Sequence, residues 1–161
     1  MSHFENCADV HCHPTASIGE AEGYSPHSPE DFLSLAEQIH RGKPLYIKFV
    51  VTGNHLFAVV YRRGLSTFDA TPIYMAKGDL EEAQQSYFAK HCAYSAEERM
   101  EMLSTAREQE ELDDLDMKFK TATKGYGENQ REHTLRACEK IAHLLKLGFY
   151  AGIGNTLQRV A

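Results

Sequence analysis

Apolar residues that alternate with polar ones, or that form short β-branched runs, mark the first half of the chain. Residues 8–13 predict a strand that ends at Pro14, because proline cannot donate to a β-ladder. Residues 45–51 and 56–61 are rich in β-branched and aromatic side chains. The segment between them, 52–55, contains Gly and Asn, so the two runs predict a β-hairpin.

A helix is predicted between the first two of these strands. Ser28 suits the N-cap, Pro29 suits the first helical position, and the acids at 30–31 suit the first turn. Gly42 and Pro44 end the helical pattern. The apolar face of this helix consists of Phe32, Leu35, Ala36 and Ile39.

The second half of the chain has apolar residues at helical spacing. After a short strand at 66–69, helices are predicted at about 79–91, 95–118 and 130–147, with a glycine-containing loop at 123–129. Apolar positions three or four residues apart run through each helical segment. We therefore expect the C-terminal half to be helical.

The two halves are joined without an internal repeat or a low-complexity linker. A chain of 161 residues has an ordinary size for one domain, so we expect a single domain over 1–161. It would have an α/β half over 1–77 and a helical half over 78–161. The predicted fold class is α/β (α+β), in which a small mixed sheet is flanked by helices.

Charge and composition exclude several classes of protein. The net charge of −6 and a pI near 5.8 argue against a protein that binds nucleic acid. No apolar run is long enough to span a membrane, and the first residues lack the pattern of a classical signal peptide. The four cysteines form no regular framework, which favours a cytoplasmic protein with reduced thiols. Delivery as a secreted effector stays compatible with this composition.

Four of the nine histidines lie within the first 27 residues, and His11 and His13 are two apart. Residues two apart on a strand project to the same face, so both imidazoles can face one ion. Asp31, in the first turn of the predicted helix, follows a loop long enough to return to them. Two histidines and one aspartate leave a fourth position open for water, which is typical of a catalytic zinc site. We therefore expect His11, His13 and Asp31 to bind Zn²⁺.

The order His-Cys-His-Pro at 11–14, then one loop, then Ser-Pro-Glu-Asp at 28–31, resembles the motif of the JAB/MPN domain metalloproteases, the JAMM family of zinc isopeptidases. The likeness covers roughly residues 6–65. It implies a JAB/MPN-like core in which His11, His13 and Asp31 are the zinc ligands, and Ser28 hydrogen-bonds the tetrahedral oxyanion. The implied substrate is a protein or peptide, such as a ubiquitin-like isopeptide conjugate.

The general base is where the chain departs from the family's pattern. The family uses a glutamate far upstream of the first histidine, and Glu5 is the only glutamate that precedes His11. Glu5 reaches the metal only if the chain turns at Asn6. Glu20 and Glu22, in the loop before the predicted helix, are substitutes on geometric grounds alone. The catalytic base is therefore left open.

A second constellation suggests a different chemistry. Cys12 (or Cys7), His55 and Asp69 occur in the order and approximate spacing of papain- and transglutaminase-like thiol hydrolases, which include deamidases. In such enzymes the nucleophile lies at a helix N-terminus, whereas Pro14 and a glycine-containing loop follow Cys12. We favour the metal site and keep the thiol site as the alternative.

A third interpretation is a catalytically inactive JAB-like scaffold or binding module, which the missing upstream glutamate favours. Its interface would be the acidic segment Ser95–Asp116, which contains nine acids and two arginines. A solvated helix face explains this segment more simply, and a basic partner surface is the alternative. A structural zinc site of His3, Cys7 and His11 is less favoured, because the residues around His11 indicate a strand.

Overall fold

The fold is given by a computed structural model that describes residues 7–13, 25–42, 45–61 and 68–161. Within these residues the chain forms five strands and five helices. In chain order they are β1 (Cys7–Cys12), α1 (Pro29–His40), β2 (Leu45–Thr52), β3 (His55–Val60), α2 (Thr71–His91), α3 (Ala96–Thr105), α4 (Gln109–Thr121), α5 (Tyr126–Leu144), β4 (Gly148–Ile153) and β5 (Thr156–Arg159).

The described strands form one mixed sheet with the order β1-β2-β3-β4-β5. β1 runs parallel to β2, with α1 in the crossover between them, and each later pair is antiparallel. The register pairs His11 with Val50, and Val50 with Phe57. Paired residues point to the same side of a sheet, so His11 lies on the face that carries these two buried side chains.

The hydrophobic core lies between this face of the sheet and helices α1, α2 and α5. Phe57 and Phe149, on neighbouring strands, are fully buried and stack with their ring centroids 6.5 Å apart. Phe32 of α1 packs on Phe149 from above the sheet. Burial of each of these rings contributes about 1.5–3 kcal/mol. The Phe32–Phe149 contact holds the first turn of α1 against the sheet.

The predictions for the first half are confirmed for β1, α1 and the β2–β3 hairpin. Ser28 is the N-cap of α1, and Gly42 follows its end with a left-handed φ of 72°. Phe32, Leu35 and Ala36 of the predicted apolar face are buried, and Ile39 packs against the core. Of the strand expected at 66–69, residues 66–67 lie outside the described residues, and 68–69 are not in a strand.

The prediction that residues 78–161 are helical is wrong at the C-terminus, where β4 and β5 form a hairpin and β4 pairs with β3. α5 ends in a Schellman turn in which the Leu147 N–H donates to the Ala142 carbonyl at 2.8 Å. Lys146 takes the left-handed position of that turn, with φ 55°, where glycine is usual. Position 146 therefore lacks the glycine that usually marks a helix end, and the periodic pattern predicts a helix to residue 147.

The other helices of the second half also differ from their predicted bounds. α2 begins at Thr71 rather than near residue 79, with Pro72 in its first turn. The helix predicted over 95–118 is two helices, because Ala106 is extended and Glu108 starts α4 in a capping box with Glu111. Glutamate is an unusual N-cap, so this boundary has a weak sequence signal.

Helices α3 and α4 carry the acidic segment on their surface. All nine of its acids are exposed, and α3 has no buried residue, which agrees with a solvated helix face. A basic partner for this surface stays a prediction. None of the described helices is long and apolar enough to cross a membrane.

Candidate metal centre

Three potential metal ligands meet where the end of β1 lies against the first turn of α1. His11 is in β1, and His13 follows the strand, where its backbone N–H donates to the Val51 carbonyl at 3.1 Å. Asp31 is the third residue of α1. The two imidazoles lie on the same side of the extended backbone, with ring centroids 4.9 Å apart. The structure thus brings together the three residues that the sequence predicts as ligands.

The ligand atoms of this group are separated by distances that suit a bound metal. His11 Nε2 and His13 Nε2 are 3.1 Å apart. His11 Nε2 lies 3.1 Å from Asp31 Oδ1, and His13 Nε2 lies 3.2 Å from Asp31 Oδ2. Ligands about 2.0–2.1 Å from a tetrahedral ion are about 3.3 Å from one another. The three side chains therefore fit such an ion with little movement.

The hydrogen bond on the far side of His13 indicates which ring nitrogen faces the site. Its Nδ1 lies 3.2 Å from both the carbonyl oxygen and the hydroxyl oxygen of Ser25, and a proton on Nδ1 would be donated to the carbonyl. A neutral His13 then presents a bare Nε2 to Asp31 Oδ2, which is also an acceptor. That arrangement suits a metal ion between Nε2 and Oδ2, whereas in the other tautomer Nε2–H donates to Oδ2 and Nδ1 accepts from the Ser25 hydroxyl.

Asp31 is held as an ionised carboxylate by groups on both of its oxygens. Oδ2 accepts hydrogen bonds from the Ser28 amide at 2.9 Å and the Ser28 hydroxyl at 3.1 Å, and Oδ1 lies 3.1 Å from Lys48 Nζ. Burial alone would raise the pKa of this carboxyl, but the Ser28 amide and the Lys48 ammonium lower it to about 2. Asp31 is therefore ionised at neutral pH, as a metal ligand must be.

Ser28 lies beside the group, but its hydroxyl is engaged within the cap. The hydroxyl accepts from the Asp31 amide at 3.2 Å and donates to Asp31 Oδ2. To donate to a substrate oxyanion, it would have to rotate away from Asp31. The oxyanion role of Ser28 stays a prediction.

Two buried polar residues lie next to the ligands. The sequence pattern did not identify either of them as a site residue. Lys48 is 7% exposed and lies on the core-facing side of β2, which otherwise suits apolar residues. His27 is 2% exposed, and its Nε2 donates to the Lys48 carbonyl at 2.8 Å. Burial lowers the pKa of His27 to about 4, so this imidazole is neutral. The only sequence signal for Lys48 is a charge inside an apolar strand.

His11 and His27 each have one buried ring nitrogen, Nδ1. Nδ1 of each has no hydrogen-bond partner within the part of the chain that the structure describes. The two rings are perpendicular, with centroids 6.5 Å apart. When Nε2 of a histidine binds a metal, Nδ1 keeps the proton, so His11 would present a buried donor on this side.

The residues of the alternative thiol site, Cys12, His55 and Asp69, are not part of the metal-ligand group. Cys12 is exposed in β1, His55 is buried at the start of β3, and β2 lies between these two strands. Asp69 is exposed and its carboxylate accepts from the Thr71 amide at 2.9 Å. The thiol site stays a prediction. Glu5, Glu20 and Glu22 lie outside the described residues.

One side of the ligand group faces solvent, since 29% of the His11 side chain and 18% of the His13 side chain are exposed. Water or a substrate oxygen can approach from this side, which suits a fourth metal position. Imidazole and carboxylate ligands suit Zn²⁺ and other divalent transition metals. Comparison with protein-family models, with curated proteins and with solved structures finds no match to this chain.

Proposed function

We propose that this chain is a zinc-dependent amide hydrolase of JAMM type, in which His11, His13 and Asp31 hold the metal. The observation that carries the proposal is the convergence of His11 Nε2, His13 Nε2 and the Asp31 carboxylate at 3.1–3.2 Å. This spacing suits ligand atoms around a divalent cation. The order of motifs from His11 to Asp31 supports the JAB/MPN-like assignment.

The chemistry follows from an open His₂Asp zinc site. A bound zinc ion would polarise the scissile carbonyl and supply a water of lowered pKa. Asp31 and the two imidazoles fix the position of the ion, and Ser28 donates to the oxyanion once its hydroxyl leaves Asp31. The substrate class is a protein or peptide amide, including isopeptides of ubiquitin-like modifiers.

The proposal is tested with a fluorogenic ubiquitin-like conjugate and an unstructured protein substrate. We expect cleavage that stops with chelator, returns with zinc and is absent in His13→Ala. His143→Ala is the matched control, because it removes an exposed imidazole near the end of α5. Cleavage that persists in the chelated protein would contradict the proposal.

A metal-binding scaffold without catalysis is a second candidate. The observation in its favour is that, within the described residues, only His11, His13 and Asp31 form a metal-binding group, with no further carboxylate in it. The adjacent Glu30 is exposed and pairs with Lys77 at 3.2 Å. Stoichiometric zinc without hydrolysis of any amide substrate, in the protein and in Glu5→Gln and Glu22→Gln alike, would favour this candidate.

The thiol alternative is separated from both by chemical labelling. Cys12 is exposed, whereas Cys138 is buried and burial raises the pKa of its thiol. A thiol hydrolase requires fast reaction of Cys12 with iodoacetamide at neutral pH and loss of activity in Cys12→Ser. Under the metal hypothesis, Cys12→Ser keeps both zinc and activity, because Cys12 points away from the ligands.

A further inference from the structure

A buried lysine contacts one of the metal ligands. Lys48 Nζ lies 3.1 Å from Asp31 Oδ1, the same oxygen that faces His11 Nε2. Only 8% of the Lys48 side chain and 12% of the Asp31 side chain are exposed. A charge this well buried is stable only when it is paired, and Asp31 is its nearest partner.

Lys48 lies on β2, between two neighbouring strands of the sheet. Its neighbours in the register are Asp9 on β1 and Val59 on β3, and Val59 is fully buried. Asp9 Oδ2 lies 3.9 Å from Lys48 Nζ, and about half of the Asp9 side chain is exposed. The ammonium therefore lies between an inner carboxylate that is a metal ligand and an outer carboxylate that is not.

We infer that Lys48 is a positioning residue of the metal centre, which acts through Asp31 and offsets part of its negative charge. The inference rests on metal binding by His11, His13 and Asp31, the first part of the proposed function. A ligand carboxylate that is already paired with an ammonium gives less electron density to a metal. The ion then binds less tightly and stays more electrophilic, which favours polarisation of a substrate carbonyl.

If Lys48 acts through its charge, its removal should strengthen zinc binding, whereas removal of a purely structural lysine should weaken it. A divalent ion bound to Asp31 would lie a few ångström from the ammonium, so the two cations repel one another. Removal of the charge also leaves Asp31 without its ammonium partner in the metal-free protein, with the Ser28 hydrogen bonds still in place, and this further favours the ion. If Lys48 only supported the shape of the site, its removal would disorder Asp31 and weaken metal binding.

The test is the zinc dissociation constant at neutral pH, measured by competition with a chromophoric chelator. We expect Lys48→Met to bind zinc at least tenfold more tightly than the unaltered protein, and Lys48→Arg, which keeps the charge, to stay close to it. Lys77→Met is the matched control, because Lys77 pairs with the neighbouring acid Glu30 on the surface. Its zinc affinity should not change. If the protein hydrolyses amides, Lys48→Met should have a lower kcat despite its tighter zinc.

Equal or weaker zinc binding by a folded Lys48→Met would overturn the inference, as would the absence of zinc binding from every variant. If Lys48→Met does not fold, Asp9→Asn replaces it. That change removes the outer carboxylate and leaves the ammonium to Asp31 alone, so zinc binding should weaken; unchanged or tighter binding would overturn the inference. Zinc affinities in the expected order without hydrolysis would refute the proposed hydrolase and uphold the role of Lys48.

Discussion

The amide and the hydroxyl of Ser28 both donate to the same oxygen of Asp31, at 2.9 and 3.1 Å. The amide bond is one half of the capping box of α1, and the Asp31 amide, which donates to the Ser28 hydroxyl, is the other half. Both Ser28 donors also hold the carboxylate that faces His11 and His13. The stability of the helix start and the geometry of the metal ligands therefore depend on one pair of residues. A variant of Ser28 should affect both, and a suitable control can separate the two effects.

Ser28→Ala should lower the free energy of unfolding by about 1 kcal/mol through loss of the cap. Ser95→Ala is the control, because Ser95 makes the same capping box with Glu98 at the start of α3. Both variants should lose similar stability in urea unfolding, but only Ser28→Ala should lose activity, by roughly 10²–10³ in kcat if its hydroxyl binds the oxyanion. Equal activities of the two variants would remove Ser28 from the catalytic machinery.

The buried His27 should make the metal-free protein sensitive to mild acid. The unfolded chain binds a proton at this residue below about pH 6.5, whereas in the folded protein burial lowers the pKa of His27 to about 4. Stability is therefore lost as the pH falls from 6.5 to 4, by about 3 kcal/mol in total. Urea unfolding in the presence of chelator should show this slope, and His27→Gln should flatten it. The exposed His40→Gln is the control and should retain it; a retained slope in His27→Gln would contradict the assignment.

Alanine substitutions at two glycines, one with no room for a Cβ and one with open space around it, test the C-terminal hairpin. A Cβ at Gly152 would lie 1.6 Å from the Thr156 carbonyl oxygen, whereas a Cβ at Gly78 in α2 would meet nothing within 4 Å. Gly152→Ala should destabilise the protein by roughly 1–3 kcal/mol or more, because β4 and β5 must separate. Gly78→Ala should stabilise it by about 0.5–1 kcal/mol through helix propensity. Equal unfolding midpoints for the two variants would argue against the hairpin.

Local signals explain which parts of the fold could be predicted from the sequence. The start of α1 is coded within four residues from Ser28 to Asp31, and the β2–β3 hairpin is coded by its turn. The end of α5 is a local Schellman turn, but its left-handed position holds Lys146, so the usual glycine signal is missing there. The β4–β5 hairpin that follows does have a local signal, because Gly154 and Asn155 form its turn and Gly154 has a left-handed φ of 63°; the helical prediction for 78–161 overlooks this signal.

The residues of the candidate site also differ in whether a local sequence pattern predicts them. His11, His13 and Asp31 were accessible to prediction, because their spacing follows from strand geometry and a helix cap. Lys48 was not, because its partner Asp31 lies on a different element and the pairing exists only once α1 packs on the sheet. Long-range contacts of this kind are absent from any local pattern.

Zinc binding by His11, His13 and Asp31 is tested by calorimetric titration of zinc into the metal-free protein at neutral pH. Asp31→Asn and His13→Ala are titrated in the same way. The predicted result is one zinc ion per chain, with affinity reduced more than about 100-fold in either variant, beyond the usual effect of an outer-shell change. Both variants must still unfold cooperatively for the comparison to hold. Binding of equal strength in all three proteins, or no zinc binding by the unaltered chain, would contradict the account.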